Sequence, residues 1–221
     1  MTTVQFLSWA SVGTNIILYS TGISRCREFH EQKSTGNVSP FPFIATILNC
    51  IFWLAYGMLQ NDALIWEVNI VGLTMQTIYV LFFIYYAEHR NFVIRMLVAC
   101  GGCSSAIVYI MFYVSITRPV MAATWLGFIC NGLTIIMFAS PLSTLPEVMR
   151  TKSTASMSVF LTVATFICAV AWTAYGYVVD DIFLIVPNGV GCFLGGFQCM
   201  LFCVYPLRTK SRYIDARPSV A

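Results

Sequence analysis

Seven long runs of hydrophobic residues alternate with short polar breaks along this chain. A helix needs about 20 mainly apolar residues to cross about 30 Å of hydrocarbon. The pattern therefore predicts seven transmembrane helices, at residues 6–24, 43–60, 63–86, 92–116, 121–145, 159–179 and 182–205. The breaks between the runs carry turn-forming or charged residues, among them Asn61-Asp62 and Asp180-Asp181. The chain is thus predicted to be an all-α membrane protein.

The pattern repeats itself at an offset of 119 residues. Four matched pairs carry the repeat: Trp53-Leu54-Ala55-Tyr56-Gly57 with Trp172-Thr173-Ala174-Tyr175-Gly176, Asn69-Ile70-Val71-Gly72 with Asn188-Gly189-Val190-Gly191, Asp62 with Asp181, and Lys33-Ser34-Thr35 with Lys152-Ser153-Thr154. Self-similarity at one fixed period is the signature of a duplicated structural unit. We infer that the chain is a tandem duplication, and that polar residues kept in both copies form a site where the copies meet.

The duplicated unit contains three of the predicted helices, and residues 92–116 have no counterpart in either copy. An odd number of crossings would leave the second copy inverted, and the additional helix restores a parallel orientation. The predicted architecture is therefore 3+1+3. Its parts are a first three-helix repeat at 1–87, a linker helix at 88–118, a second repeat at 119–206 and a basic tail at 207–221.

Composition and charge place these helices in a bilayer and orient them. Hydrophobic residues make up 58% of the chain and charged residues 10%, whereas soluble domains carry about 25% charged residues. All but one of the 12 lysines and arginines fall on one predicted side of the membrane, and Arg118 is the exception. The positive-inside rule then predicts an extracellular or lumenal N-terminus and a cytosolic tail. No tract of interleaved basic and aromatic residues suggests a nucleic-acid partner.

Four side chains are predicted to lie at one depth of the membrane. Trp53 and Asn69 flank Asp62 in sequence, and Trp172 and Asn188 flank Asp181 in the same way. At about 1.5 Å per residue, each lies roughly 10–14 Å below the outer surface. An unpaired amide is costly in hydrocarbon, so both asparagines should face an interior cavity. Amides that bind hydroxyls, together with indole faces, suit a neutral polyhydroxylated ligand.

Each of these residues also has a purely structural interpretation. Asparagine can join helices by hydrogen bonding, and tryptophan often anchors a helix at the membrane interface. The same applies to the candidate gates and hinges, which are Tyr56 and Asp181 at the outer mouth and Gly22, Pro42, Pro141 and Pro187 within or beside helices. A Tyr–Asp hydrogen bond across the two halves could close the outer mouth, but such aspartates could equally be solvated loop residues. The prolines could bend helices for transport or could be ordinary first-turn or kink prolines.

The residues that are absent from the predicted spans narrow the function. The only acidic residue within them is Glu67, near an outer end, and neither histidine lies in mid-membrane. Ion-coupled carriers usually need an ionisable relay inside the membrane, so we expect a carrier that equilibrates its substrate without coupling. No nucleotide-binding loop, metal-ligand cluster or nucleophile–base set is recognisable, so neither a cofactor nor an enzyme is expected. The alternatives are a carrier for another small metabolite and a seven-span receptor without transport.

Residues 6–205 resemble the SWEET family of sugar transporters. The resemblance is carried by Ala139-Ser140-Pro141-Leu142-Ser143, Thr151-Lys152-Ser153, Ala171-Trp172-Thr173-Ala174-Tyr175-Gly176 and Val186-Pro187-Asn188-Gly189-Val190-Gly191, which are similar to animal members. It implies facilitated, bidirectional movement of sugars, often glucose, and commonly assembly as homo-oligomers. The plasma membrane is the expected location, with the Golgi or another endomembrane as the alternative.

The resemblance also implies roles for individual residues. The sugar-contacting residues of the family match Trp172, Asn69 and Asn188, and its outer gate matches Tyr56 and Asp181. The position that is often small in plant members is Trp53 here, which favours a monosaccharide over sucrose because a second ring narrows the pocket. Of the family's four inner-gate prolines, only Pro42 and Pro141 match. Gly22 stands at the first-helix position, and residues 155–165 contain no proline.

Overall fold

A computed structural model describes residues 3–205, and this part of the chain is all-helical, as predicted. The helices are α1 (Thr3–Gln32), α2 (Phe41–Gln60), α3 (Ala63–Tyr86), α4 (Arg90–Ser115), α5 (Pro119–Ala139), a 3₁₀ helix (Ser140–Thr144), α6 (Leu145–Thr151), α7 (Val159–Val179) and α8 (Ile182–Val204). Seven of them are long, in the predicted 3+1+3 order. The predicted basic tail, 207–221, lies outside the described residues.

The two repeats pack in the same way. In the first repeat α3 contacts both α1 and α2, and in the second α8 contacts both α5 and α7. The third helix of each repeat therefore lies between the other two. Across the repeats α1 packs on α7 and α2 packs on α5, while α4 contacts α2, α3 and α5. The space between the repeats is thus bounded by helices from both copies.

Helix α1 is less apolar than the other long helices. Six helical segments between residues 41 and 204 have the length and hydropathy of membrane spans, the longest being Pro119–Thr151 with 33 residues. The segment predicted at 6–24 is not among them. The reason is a polar face on α1, where Asn15, Ser20, Thr21 and Ser24 line the interior cavity described below. Polar residues that face a cavity lower the mean hydropathy of a helix without exposing polar groups to lipid.

The structure corrects the predicted end of the first helix. The sequence pattern placed a break from Arg25 to Pro42, but α1 continues to Gln32. Beyond the apolar run, Arg25 pairs with Glu28 at 2.9 Å and Arg27 pairs with Glu31 at 2.8 Å. Such pairs three and four residues apart lie on one helix face and favour helix where hydrophobic periodicity has ended.

The structure also corrects the helix predicted at 121–145. The α-helix ends at Ala139, and Pro141 lies in the 3₁₀ helix that follows. Proline has no amide hydrogen to donate, so the regular α-helix ends beside it. Its counterpart by offset, Gly22, keeps its amide hydrogen and lies within the uninterrupted α1. The sequence pattern also predicts a polar break at Glu147 to Lys152, between the spans at 121–145 and 159–179, but α6 occupies most of it.

The Lys-Ser-Thr loops of the two repeats adopt one conformation. Lys33 and Lys152 both have left-handed backbones, with φ of 53° and 51°. The ammonium of Lys33 lies 5.9 Å from the centre of the Tyr86 ring, and that of Lys152 lies 5.3 Å from the Tyr205 ring. We call the end of the protein that carries these loops the basic end. The opposite end, with the turns at Asp62 and Asp181, is the aspartate end.

Candidate functional site

Two equivalent turns build the aspartate end. Asn61 ends α2 in the left-handed conformation (φ 54°), and Asp180 ends α7 in the same way (φ 56°). The next residue of each turn caps the following helix: Asp62 accepts a hydrogen bond from the Ile65 amide at 3.2 Å, and Asp181 accepts one from the Phe183 amide at 2.9 Å. The Asn-Asp and Asp-Asp dipeptides thus join antiparallel helices through tight turns and fix both carboxylates.

A glycine one turn before each of these turns brings the paired helices close together. A Cβ atom on Gly57 would lie 2.8 Å from the Trp66 backbone nitrogen, and one on Gly176 would lie 2.9 Å from the Leu184 Cβ. No larger residue fits without moving the next helix. This close approach explains why the repeated motif ends in Tyr-Gly, because the tyrosine immediately before the glycine is then held beside the aspartate turns.

Tyrosine–aspartate hydrogen bonds cross between the two repeats. The Tyr56 hydroxyl donates to Asp181, with distances of 3.0 Å to Oδ1 and 2.9 Å to Oδ2. The Tyr175 hydroxyl donates to Asp62 Oδ2 at 2.8 Å. Each bond joins α2 or α7 of one repeat to the turn of the other. Together the two bonds hold the repeats against each other at the aspartate end, in the arrangement expected of an outer gate.

Burial between the two repeats disfavours the ionised form of one of these carboxylates. Burial raises the pKa of Asp181 above its usual value, although the hydrogen bonds from Tyr56 and from the Phe183 and Leu184 amides act to lower it. The neighbouring Asp62 charge adds to the rise. A raised pKa means that the ionised form is disfavoured here relative to water. Exposure of this carboxylate to water would therefore offset part of the free energy of its hydrogen bonds.

A cavity of about 1320 Å³ lies between the repeats. All four predicted site residues line it: Trp53, Asn69, Trp172 and Asn188. Its wall continues towards the basic end through Ser24, Arg25, Glu28 and Ser39. The cavity therefore extends from the predicted site to the basic end, while the Tyr–Asp pairs close the aspartate end. The tyrosines of those pairs do not line it.

The two asparagines present the same face to the cavity. Asn69 Nδ2 donates to the Ile65 carbonyl at 2.7 Å, and Asn188 Nδ2 donates to the Leu184 carbonyl at 2.9 Å. Each amide is thereby tied to the preceding turn of its own helix. Both side chains are buried, and within residues 3–205 nothing donates to either Oδ1 atom. Each Oδ1 therefore has the capacity to accept a hydrogen bond in the cavity, and each Nδ2 has a second hydrogen to donate.

The two tryptophans connect the cavity wall to the gate. The Trp53 ring meets Tyr56 edge-on with 5.5 Å between centroids, and the Trp172 ring meets Tyr175 in the same way at 5.8 Å. Indole faces of this kind can pack on the C–H face of a sugar ring. Each tryptophan thus contacts both the space for a ligand and a tyrosine that closes the aspartate end.

Sequence reasoning missed a hydrogen-bond chain that fixes Trp53. Its Nε1 donates to Thr134 Oγ1 at 2.9 Å, and Thr134 in turn donates to Asn49 Oδ1 at 3.0 Å. The chain joins α2 to α5 across the repeats. The 119-residue offset places Asn15 and Cys168 at the matching positions around Trp172, and Asn15 donates instead to the Ser11 carbonyl at 2.9 Å. The two tryptophans are therefore held by different means.

Another polar residue of the cavity also escaped the sequence prediction. Gln76 lies two turns from Asn69 on the same face of α3 and lines the cavity. Its Oε1 atom is buried and has no hydrogen-bond partner among residues 3–205. Gln198 of α8 lines the cavity too. The signal that could have found both is an amide on the buried helix stripe that already contains the predicted asparagine.

The four predicted hinge residues occupy different settings. Pro42 lies in the first turn of α2 and lines the cavity, whereas Pro187 lies inside α8 and is fully buried. A Cβ on Gly22 would overlap the Tyr79 ring, so Gly22 makes room for that ring against α1. Pro141 lies at the start of the 3₁₀ helix. Their action as hinges remains a prediction.

Comparison with protein families gives two matches in this chain. The model described as "sugar efflux transporter for intercellular exchange" matches residues 5–91 and again residues 124–210. The two matches begin and end at the same offset that the sequence repeat shows. They exclude most of the linker helix α4, as the predicted duplication requires.

Individual proteins are similar over nearly the whole chain. The sugar transporter SWEET1 of Mus musculus is 33% identical over 209 residues, covering 95% of this chain and 94% of the mouse protein. The sugar transporter SWEET1 of Homo sapiens is 32% identical over 196 residues, covering 89% and 88%. Among solved structures, that of a eukaryotic SWEET transporter matches with a TM-score of 0.84 and 26% identity, covering 90% of this chain and 95% of that chain.

Proposed function

Because this chain belongs to the SWEET family of sugar transporters, we propose that it moves a monosaccharide such as glucose down its gradient, in either direction, by alternating access. It is a multi-pass membrane protein and a transporter rather than an enzyme. The proposal concerns what family membership leaves open, namely the sugar, the uncoupled mechanism and the conformational cycle.

The single observation that supports this proposal most is a cavity with access at only one end. Paired amides and indoles from both repeats lie at its inner limit, and the crossed Tyr–Asp bonds lie beyond them. A pathway that is open to one side and closed to the other is the arrangement that alternating access requires. A receptor for the same ligand would need no such duplicated closure.

The proposed cycle starts from this conformation. Sugar enters from the basic end and binds the Oδ1 atoms of Asn69 and Asn188, with its ring between the two indoles. Each Trp contacts a Tyr of the proposed gate. When the indoles move around the sugar, they therefore displace the tyrosines of the Tyr56–Asp181 and Tyr175–Asp62 hydrogen bonds. Rocking of the repeats then closes the basic end and opens the aspartate end, after which the sugar dissociates.

The membrane and orientation are part of the proposal. The described basic residues lie at the basic end, apart from Arg118, which favours the cytosol for that end and the outside or lumen for the aspartate end. We propose the plasma membrane as the site of action, and assembly as a homo-oligomer as in the family. The conformation described is then one that faces the cytosol.

Uptake of radiolabelled glucose into proteoliposomes tests the proposed function. We expect saturable uptake that runs to equilibrium without an imposed ion gradient and is unchanged in extent by a pH gradient. The reason is that the described spans offer no buried ionisable relay in mid-membrane, and a neutral sugar needs none. Accumulation driven by a pH gradient would contradict the uncoupled mechanism, and the absence of uptake for every hexose and pentose tested would contradict sugar transport by this chain.

Replacing Trp53 by alanine is expected to change selectivity from monosaccharide towards disaccharide. Loss of one indole widens the cavity beside Asn69, so the ratio of sucrose to glucose uptake should rise by about tenfold, the scale of a few lost pocket contacts. The measurement is competitive uptake of the two labelled sugars. Trp125→Ala is the matched control, because Trp125 is 56% exposed on α5 and does not line the cavity. An unchanged ratio in Trp53→Ala would show that Trp53 does not set substrate size.

A further inference from the structure

Pro187 leaves a carbonyl of α8 without its helical donor. In a regular α-helix the amide of residue 187 would donate to the carbonyl of Phe183, four residues earlier. Proline has no amide hydrogen, and Pro187 is fully buried inside the helix. A buried carbonyl that loses its hydrogen bond is costly unless another donor replaces the amide.

Asn131 of α5 supplies that donor. With its amide oriented so that the nitrogen faces two carbonyls, as the hydrogen-bond network requires, Nδ2 donates to the Phe183 oxygen at 2.7 Å. The same group lies 3.3 Å from the Gly127 carbonyl of its own helix. A side chain of α5 thus completes the backbone hydrogen bonding of α8 at the turn that the proline interrupts.

The first repeat gives an internal comparison. The 119-residue offset places Val68 opposite Pro187 and Val12 opposite Asn131. α1 packs on α3 in the first repeat as α5 packs on α8 in the second. Val68 keeps its amide hydrogen for the Leu64 carbonyl, and Val12 has no side-chain donor. The proline and the amide therefore occur together in one copy and are absent together from the other.

The carbonyl that Asn131 binds lies between the gate and the cavity. Phe183 donates its own amide to Asp181 Oδ1 at 2.9 Å, and its ring meets Tyr56 with 5.9 Å between centroids. On the other side, the interrupted turn leads through Pro187 into Asn188, which lines the cavity. An interaction that holds this turn of α8 against α5 therefore also fixes the position of Asn188 relative to Asp181.

We propose that Asn131 is a positioning residue for transport. Its amide holds the proline-interrupted first turns of α8 on α5 and so places Asn188 for sugar. This role rests on the proposed function, and it is not a role in contacting sugar, because Asn131 does not line the cavity. The Asn131–Phe183 hydrogen bond joins α5 and the start of α8 into one unit in the second repeat. In the first repeat, α3 has uninterrupted helical hydrogen bonding at the matching turn and needs no such bond.

A double-mutant cycle based on the first repeat tests the proposal. The variants are Asn131→Val, Pro187→Val and the two combined, which gives the second repeat the Val–Val pair of the first. Asn131→Val alone should raise the KM for glucose about tenfold, the effect of one lost buried hydrogen bond near the site. In the Pro187→Val background the residue 187 amide supplies the donor, so adding Asn131→Val should change KM by less than about twofold.

Thermal unfolding of the same four purified proteins gives a second readout. We expect Asn131→Val to lower Tm in the wild-type background and to have little effect in the Pro187→Val background. If Asn131→Val does not fold but the double variant does, the bond is confirmed by rescue. The positioning role would be overturned by an unchanged KM in Asn131→Val. It would also be overturned if Asn131→Val raised KM by the same factor in the wild-type and Pro187→Val backgrounds. If the wild type itself moves no sugar, the proposed function and this role both fail, while the Tm cycle still decides whether Asn131 bonds to the Phe183 carbonyl.

Discussion

Replacing Asn188 by alanine is expected to lower the ratio of maximal rate to KM for glucose by about 10- to 100-fold, with the protein still folded in the membrane. The amide contributes an acceptor, and a hydrogen on Nδ2, to a buried cavity, and losing such a pair costs about 1.5 to 3 kcal/mol when the ligand hydroxyl finds no substitute. Asn69→Ala should behave alike, because the two amides have the same helical tether and the same burial.

Uptake in proteoliposomes and equilibrium binding of glucose to the purified variants measure this effect. Asn91→Ala is the matched control, because Asn91 is exposed at the start of α4 and does not line the cavity. Both asparagine variants should lose binding and transport together, since the contact is to the sugar. Wild-type uptake in Asn188→Ala and Asn69→Ala would remove the proposed site, and an equal loss in Asn91→Ala would show that the effect is not local.

Removing the two gate hydroxyls together, in Tyr56→Phe/Tyr175→Phe, is expected to lower net uptake by tenfold or more while leaving glucose binding nearly unchanged. Each hydroxyl donates to a carboxylate across the repeats, and a hydrogen bond to a charged group stabilises by about 1.5 to 3 kcal/mol. Partial exposure of the aspartate end favours the lower figure. Two bonds then account for about 3 kcal/mol, enough to shift a two-state population by about a hundredfold towards the conformation open at the aspartate end.

Phenylalanine is the informative substitution because it preserves the ring contacts with Trp53 and Trp172 and leaves both aspartates free to cap their helices. Tyr177→Phe is the matched control, since Tyr177 lies on α7 two residues from Tyr175 but is 68% exposed. Loss of uptake with retained binding distinguishes a gate defect from a defect in the sugar site. Normal uptake in the double variant would show that the crossed pairs do not control access, and weakened binding would assign the tyrosines to the site.

The repeat made much of this architecture predictable. An offset read from sequence paired the tryptophans, the asparagines and the aspartates, and the structure places each pair at equivalent positions of two similarly packed units. The crossed bonds of Tyr56 and Tyr175 were foreseen as one possibility for the same reason. Duplication constrains tertiary structure because a parallel pseudo-twofold arrangement brings equivalent turns to the same end.

Helix ends were less predictable because hydrophobic periodicity reports lipid contact and not helix length. α1 extends to Gln32 through a polar segment that ion pairs stabilise. α5 ends before Pro141, although the hydrophobic pattern of the sequence continues. In both places local backbone chemistry, rather than the apolar pattern, decides where the regular helix ends. The apolar pattern also does not show which side of a helix faces lipid, so the segment at 6–24 was predicted as an ordinary span although one face of α1 is polar.

Contacts without an equivalent in the other copy were the least predictable. The Trp53–Thr134–Asn49 chain and the Asn131–Phe183 bond join residues more than 50 positions apart, and neither has an equivalent in the other half. The 119-residue offset identifies residues that the two copies share, but it does not identify contacts that only one copy makes. Such contacts depend on which helices become neighbours, which only the packing of α2 on α5 and of α5 on α8 reveals.

The linker helix α4 has a consequence for how the two copies can evolve. Two identical three-helix chains that met as a dimer would have to carry every substitution twice, once on each wall of the pathway. A covalent tether that also restores the parallel orientation removes that constraint, so either copy can change alone. Thr134 against Asn15, Gln76 against Gly195 and Pro187 against Val68 are such one-sided changes. Any substitution in a symmetric dimer alters both walls alike, whereas the fused chain can fit each wall to a different face of a chiral, asymmetric sugar.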